Sequence, residues 1–177
     1  FQILPFRSMK AGIVTTGSEV YHGRIKDQFT PVVKEKLEEA GMNVLGNTLC
    51  NDESDMVTEA IKEWIKKGAD LVVCTGGMSV DPDDRTPLAI RNASDEVVTY
   101  GAPVLPGAMF MLAYAGNIPV MGLPGCVMYS KRTIFDLVLP RIAAGEKLSA
   151  EDFTVLGEGG LCLNCEVCTF PNCGFGK

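Results

Sequence analysis

Three short stretches combine glycine, hydroxyl and carboxylate side chains in a pattern that suits a phosphorylated ligand. The first is Thr15-Thr-Gly-Ser-Glu-Val20, followed by Gly23-Arg-Ile-Lys-Asp27. The second is Thr75-Gly-Gly-Met-Ser-Val-Asp-Pro-Asp-Asp-Arg-Thr-Pro87, and the third is Leu123-Pro-Gly-Cys126. Glycine lets backbone N–H groups come close to an oxyanion. The same stretches carry Glu19, Asp27, Asp81, Asp83 and Asp84, and Asp52 stands at an equivalent junction. Carboxylates repel phosphate, but they hold Mg²⁺, which bridges phosphate oxygens. The chemistry implied is Mg²⁺-assisted binding of a nucleotide or phosphate ester. Taken singly, each acid reads equally well as a helix cap or a solvated loop charge.

A second constellation is Cys162-x2-Cys165-x2-Cys168-x4-Cys173, four of the seven cysteines. Four thiolates satisfy a tetrahedral Zn²⁺ or an iron–sulfur cluster. The run partly resembles the cluster-binding stretch of bacterial ferredoxins, with a longer last spacer and no proline after Cys173. The expectation is a metal site that docks a protein partner or tunes a redox-linked step. The bland alternative is a flexible reduced tail or adventitious disulfides.

The elements that must position these groups follow from hydrophobic period. Residues 10–16, 43–49 and 70–75 are short, apolar, β-branched runs and read as strands. Val32, Val33, Leu37 and Ala40 recur at helical spacing, and Pro31 places the helix start near Phe29 or Thr30. Met56, Val57, Ala60, Ile61, Trp64 and Ile65 form a second stripe, behind Ser54 as a cap. A short helix spans about 86–93, residues 109–114 and 118–121 pair as a hairpin, and a last helix runs from Val127 to about Ala144. Alternating strands and amphipathic helices imply an α/β fold, a mostly parallel sheet covered on both faces, with an antiparallel edge hairpin. The chain divides into a domain at 10–145, a connector at 146–160 and a Cys-rich tail at 161–177. In such a sheet ligands bind beyond the carboxyl ends of the strands, where all three loops must gather.

Composition narrows the partners. The 177 residues are 46% apolar and 21% charged, with a net charge of −6. An acidic balance argues against a broad nucleic-acid face, which depends on Lys and Arg. No apolar run approaches the ~20 residues of a membrane-spanning helix. The chain opens on Phe1 rather than Met, with no secretory leader pattern, and reads as a piece of a longer polypeptide or a start altered by cloning. A cytoplasmic location is expected.

The motifs Thr-Gly-Ser-Glu at 16–19, Gly23 and Asp27, Thr-Gly-Gly-Met-Ser-Val-Asp-Pro-Asp-Asp-Arg-Thr at 75–86 and Leu-Pro-Gly at 123–125 fall in one order. In that order the stretch 10–145 resembles the molybdopterin-binding domain of molybdenum cofactor biosynthesis proteins. The resemblance implies a three-layer α/β/α fold and a pterin-phosphate ligand. It implies one of two steps: Mg-ATP-dependent adenylylation of molybdopterin, or molybdate insertion with release of AMP. Carried over by position, Thr16, Gly17, Ser18, Thr75, Gly76, Gly77, Met78, Ser79, Asp81, Leu123, Pro124 and Gly125 would bind the ligand. Asp52, Asp84 and Glu19 would be the catalytic or metal-linked acids. Relatives assemble as dimers or trimers, so a homo-oligomer is expected.

Two departures stand out. The insertase branch usually carries Lys-Pro-Gly-Lys-Pro where this chain has Leu105-Pro-Gly-Ala-Met109. The third loop usually reads Pro-Gly-Asn-Pro or Pro-Gly-Ser-Pro, against Pro124-Gly-Cys-Val127 here. Besides a transferase, the sequence therefore supports a non-catalytic molybdopterin carrier or sensor with a metal-bound tail, and a nucleotide hydrolase on the same fold stays open. Among single residues, Trp64 and Cys74 read as core and His22 as an exposed loop residue. Cys126 opens a helix, which would lower its pKa, although packing is the plainer role. Arg24, Lys26 and Arg85 are the cations nearest the site.

Overall fold

The computed structural model describes residues 2–177. Chain order is β1 (Lys10–Thr16), α1 (Ser18–Tyr21), α2 (Phe29–Glu39), β2 (Asn43–Cys50), α3 (Ser54–Lys66), β3 (Leu71–Thr75), α4 (Thr86–Asn92), β4 (Glu96–Tyr100), β5 (Met111–Ala115), β6 (Ile118–Leu123), α5 (Ile134–Ala143) and α6 (Ala150–Thr154). The strands form one sheet in the order β2-β1-β3-β6-β5-β4. The first four are parallel, and β5 and β4 add antiparallel to the edge.

Two-residue alternation sorts the strand side chains onto two helical layers. Ile13, Val73 and Met121 face α2 and α5, against Val33, Leu37, Phe135, Val138 and Ile142. Val14, Val72, Cys74 and Val120 face α3 and α4, against Val57, Ile61, Trp64, Ala89 and Ile90. Every residue of β3 is buried, as expected of a central parallel strand covered on both sides. Trp64 fixes how closely α3 approaches β1. Its indole N–H donates to the Ile13 carbonyl at 3.1 Å, and a Cβ at Gly12 would lie 2.7 Å from Trp64 Cδ2.

The chain leaves β1 for one edge through α2 and β2, then returns through α3 to β3 on the other side of β1. The crevice at this reversal of strand order is where open α/β sheets bind ligands.

Three elements differ from the sequence reading. The helix expected from Val127 is split. A 3₁₀ turn covers Gly125–Met128, and α5 starts only at Ile134. Thr133 sets that start by a capping box: its hydroxyl accepts the Phe135 amide at 3.2 Å, and Asp136 accepts the Thr133 amide at 2.8 Å. β4 is an additional strand. The stretch 146–160 holds α6, whose Phe153 is buried and stacked on Phe110, ring centroids 5.8 Å apart. The tail also packs on the body. Leu105 donates to Gly160 and accepts from Cys162 at 2.6 and 2.8 Å, and Phe175 is buried.

Candidate functional site

Strand register brings the three loops to one edge. Thr16 pairs with Cys50, Thr15 with Thr75, and Thr75 with Leu123, so β1, β2, β3 and β6 end level. The first and second loops touch. Gly76 and Gly77 have φ of 82° and 55°. A Cβ at Gly76 would overlap the Thr16 carbonyl oxygen, and one at Gly77 would sit 2.7 Å from Thr86 Oγ1. Thr16 Oγ1 donates to the Thr75 carbonyl at 3.2 Å and lies 3.2 Å from Thr86 Oγ1. The side chains of Thr16 and Thr75 are therefore frame, buried between strands. The amides of Gly76 and Gly77 donate to no acceptor among the described residues. Two successive left-handed glycines with free N–H groups make a cradle for an anion.

The acids are held by backbone donors. Asp52 Oδ2 accepts from the Ser18 amide at 2.9 Å and the Ser18 hydroxyl at 2.7 Å, which ties the start of α1 to the end of β2. Asp84 Oδ2 accepts the Ser79 amide at 2.6 Å, and Asp84 donates its own amide to the Asp81 carbonyl at 3.1 Å. Ser79 Oγ accepts the Asp81 amide at 3.2 Å, which closes the loop on itself. In each of Asp52 and Asp84 the bonds named fall on one oxygen, Oδ2. Glu19 is exposed on α1. Among the described residues, no three His, Cys, Asp or Glu side chains gather closely enough to hold a metal ion. Mg²⁺ here would take one or two carboxylates and fill its remaining positions with water and ligand phosphate, its usual manner.

Other expected residues are placed differently. Met78 is 3% exposed and packs on Gly122, so its side chain belongs to the core. Leu123 is buried, Pro124 half-buried and Gly125 exposed at the lip of the third loop. Burial raises the Cys126 thiol pKa, only partly offset by a bond to its own backbone, against the lowering expected at a helix start. Asp27, one residue before the N-cap Gln28, satisfies the start of α2 by accepting the amides of Phe29 and Thr30 at 2.9 and 3.1 Å. The Thr30 hydroxyl and Asn47 join that carboxylate to Thr15, 3.0 Å from Thr30 Oγ1. Leu105-Pro-Gly-Ala-Met109 is pinned between the tail and α5, for a Cβ at Gly107 would meet Ile134 Cβ at 3.0 Å.

One residue escaped the sequence reading. Tyr100, at the end of β4, has its hydroxyl pKa raised first by burial and then by the negative charge of Asp84. The unread strand hid it. Arg85, expected among the cations nearest the site, shares a shallow cavity of about 400 Å³ with Asp52, Glu53, Ser54 and Asp55, the only cation among the described residues that line it. The four tail cysteines line a separate cavity of about 210 Å³. The tight tetrahedron expected for a single ion is not formed there.

A family model described as "Probable molybdopterin binding domain" matches residues 12–144. CinA-like proteins of Mycobacterium tuberculosis and Mycolicibacterium vanbaalenii are 35% and 37% identical over 79 residues, 45% of this chain. That match spans only 18% and 19% of those relatives' length. In three dimensions the chain is similar to the molybdopterin biosynthesis enzyme MoaB of Thermus thermophilus, with TM-score 0.65 and 23% identity over 78% of this chain and 98% of that one. It is likewise similar to a molybdopterin biosynthesis protein of Mycobacterium abscessus, with TM-score 0.66 and 21% identity over 77% and 92%. At these identities the likeness is one of fold. No helix among the described residues is long and apolar enough to cross a membrane.

Proposed function

The chain belongs to the family of probable molybdopterin-binding domains, and from that premise we propose that it binds molybdopterin, or its adenylylated form, at the carboxyl edge of β1, β3 and β6 as part of molybdenum cofactor biosynthesis. The observation that carries the reading is the Gly76-Gly77 cradle. Its amides are free and its backbone is pressed against Thr16, so a phosphate has donors and no side chain stands in the way. Gly125, exposed at the lip of the third loop, extends the donor surface on one side of it, while Gly17 and Ser18, bonded to Cys50 and Asp52, shape the other. Asp52 and Asp84 would hold Mg²⁺, each with the carboxylate oxygen that the bonds to Ser18 and Ser79 leave free, and the ion would offset the charge of the ligand phosphate. Arg85 balances charge beside Asp52, and Glu19 reaches the same rim from α1. Where ATP is the second substrate, Asp52 and Asp84 would hold the ion that offsets phosphate charge as AMP passes from ATP to the pterin phosphate and pyrophosphate leaves. The chain acts in the cytoplasm as a symmetric homo-oligomer.

The second reading, a carrier or sensor without turnover, is favoured by one feature. Leu105 and Ala108 stand where lysines would pair with anionic oxygens, and Leu105 is bound into the tail. An anaerobic assay with molybdopterin, Mg²⁺ and ATP separates the two. Tight binding with AMP transfer supports the enzyme. Binding without transfer supports the carrier. No binding refutes the ligand assignment.

A further inference from the structure

The cysteine cavity lies outside the pterin loops and differs from them in character. Cys162, Cys165, Cys168 and Cys173 all line it, with Leu163, Phe170 and Phe175 among its walls. A zinc ion bound by four thiolates is ringed by sulfur at about 2.3 Å and leaves no room around it. Here the thiols stand apart, since no three of them meet at ion-binding distance, yet they share one space of about 210 Å³. That space is several times the ~30 Å³ of a water molecule. It suits a compact inorganic core of several atoms rather than one ion. The two Cys-x2-Cys steps match the first three ligands of a ferredoxin-type cluster; in ferredoxins the next Cys of the run serves a second cluster, whereas here Cys173 lines the same cavity as the other three and supplies the fourth thiol.

The charge environment agrees as well. A cluster carried on four thiolates is anionic, and Lys131 and Arg132 both line the cavity. The Arg132 guanidinium stacks on Phe170 at 5.0 Å and is bonded to Asp136 at 2.9 Å, which fixes it in place. Arg132 and Cys168 line the same space, so the cation and a ligand thiol share it. Lys131 Nζ donates to the Glu166 carbonyl at 3.3 Å, between Cys165 and Cys168. The support is firm. Cys162 donates to Leu105 and Gly176 to Gly159, both at 2.8 Å, on either side of the ligand run. All seven cysteines are free thiols.

We infer that the tail is a binding site for an iron–sulfur cluster of the 4Fe–4S class, held by Cys162, Cys165, Cys168 and Cys173 with Lys131 and Arg132 as its counter-charges. Because Lys131 and Arg132 follow the turn at Gly125–Met128, the cluster sits next to the third pterin loop, at the same edge of the sheet.

The test uses the whole chain, purified without oxygen and incubated with iron salts and sulfide under a thiol reductant. The expected result is iron and acid-labile sulfide in equal amounts, about four of each per chain, with visible charge-transfer absorption. Cys168→Ser should lose most of the iron and Cys126→Ser none, with circular dichroism confirming that both remain folded. Arg132→Gln should keep the iron but shift the cluster's reduction potential to more negative values. One zinc per chain without sulfide would overturn the inference, as would iron loading that survives Cys165→Ser and Cys168→Ser together. A folded chain that takes up no iron would overturn it too.

Discussion

Replacing Gly76 by alanine tests the contact on which the site rests. Gly76 has φ 82°, and a Cβ there overlaps the Thr16 carbonyl oxygen and comes within 2.7 Å of Thr16 Oγ1. Left-handed backbone costs a residue with a side chain about 1–2 kcal/mol. Forcing a methyl into a packed contact adds ~1–3 kcal/mol. The obstructing atom belongs to main chain at the end of β1, so relief requires β1 and β3 to part. The expected loss is about 3 kcal/mol from a total of the order of 5–15 kcal/mol. For a chain of this length that lowers Tm by about 6–12 °C. Gly125→Ala is the control, because its Cβ would meet nothing within 4 Å and its backbone is not left-handed. It should change stability by less than about 0.5 kcal/mol. Urea unfolding followed by circular dichroism, with a thermal melt, gives both numbers. A Gly76→Ala protein melting within about 2 °C of the parent would refute the close approach of the two loops.

Asp84→Asn keeps an oxygen for the Ser79 amide but removes the charge. It should leave Tm nearly unchanged and weaken Mg²⁺-dependent molybdopterin binding by about tenfold, or ~1.4 kcal/mol; the same affinity in both proteins, by titration with and without Mg²⁺, would remove Asp84 from the site. The Ser149 amide, and next Arg141, hold the Asp152 carboxyl down at about 2, against an ordinary 3.8. A folded value below the unfolded one means that this stabilisation is complete above about pH 4 and is lost as pH falls toward 2. Asp152→Asn should therefore flatten the urea midpoint against pH in that window, and an unchanged slope would contradict the assignment. In metal-free protein, alkylation mapped by mass spectrometry should reach exposed Cys165 and Cys168 before Cys126, whose thiol burial disfavours ionisation. Buried Cys50, held up at about 11, and Cys74, raised further, should react only on unfolding. Early labelling of Cys126 would restore it as a reactive thiol.

Much of the frame was legible because it is written locally. Leu71-Val-Val-Cys-Thr75 is apolar on both faces, and only a strand covered on both sides uses such a run. The stripe from Met56 to Ile65 named α3 and its buried face. Pro31 set the start of α2 to within a residue. Where two local signals competed, the reading failed. The apolar run after Val127 looked helical throughout, but the Thr133–Asp136 cap overrode it. Glu96–Tyr100 was passed over because an edge strand has only one partner and a weak apolar pattern.

The sequence by itself determined which elements form and which loops carry glycine beside carboxylate, since side-chain period and backbone freedom are properties of neighbours along the chain. Tertiary structure alone decided that Gly76 presses on Thr16 and that Met78 turns into the core. It also decided that the four tail cysteines share one cavity under Arg132. Those outcomes depend on strand register and on contacts such as Leu105 with Cys162. Their partners lie tens of residues apart, and no local period encodes which of them will meet.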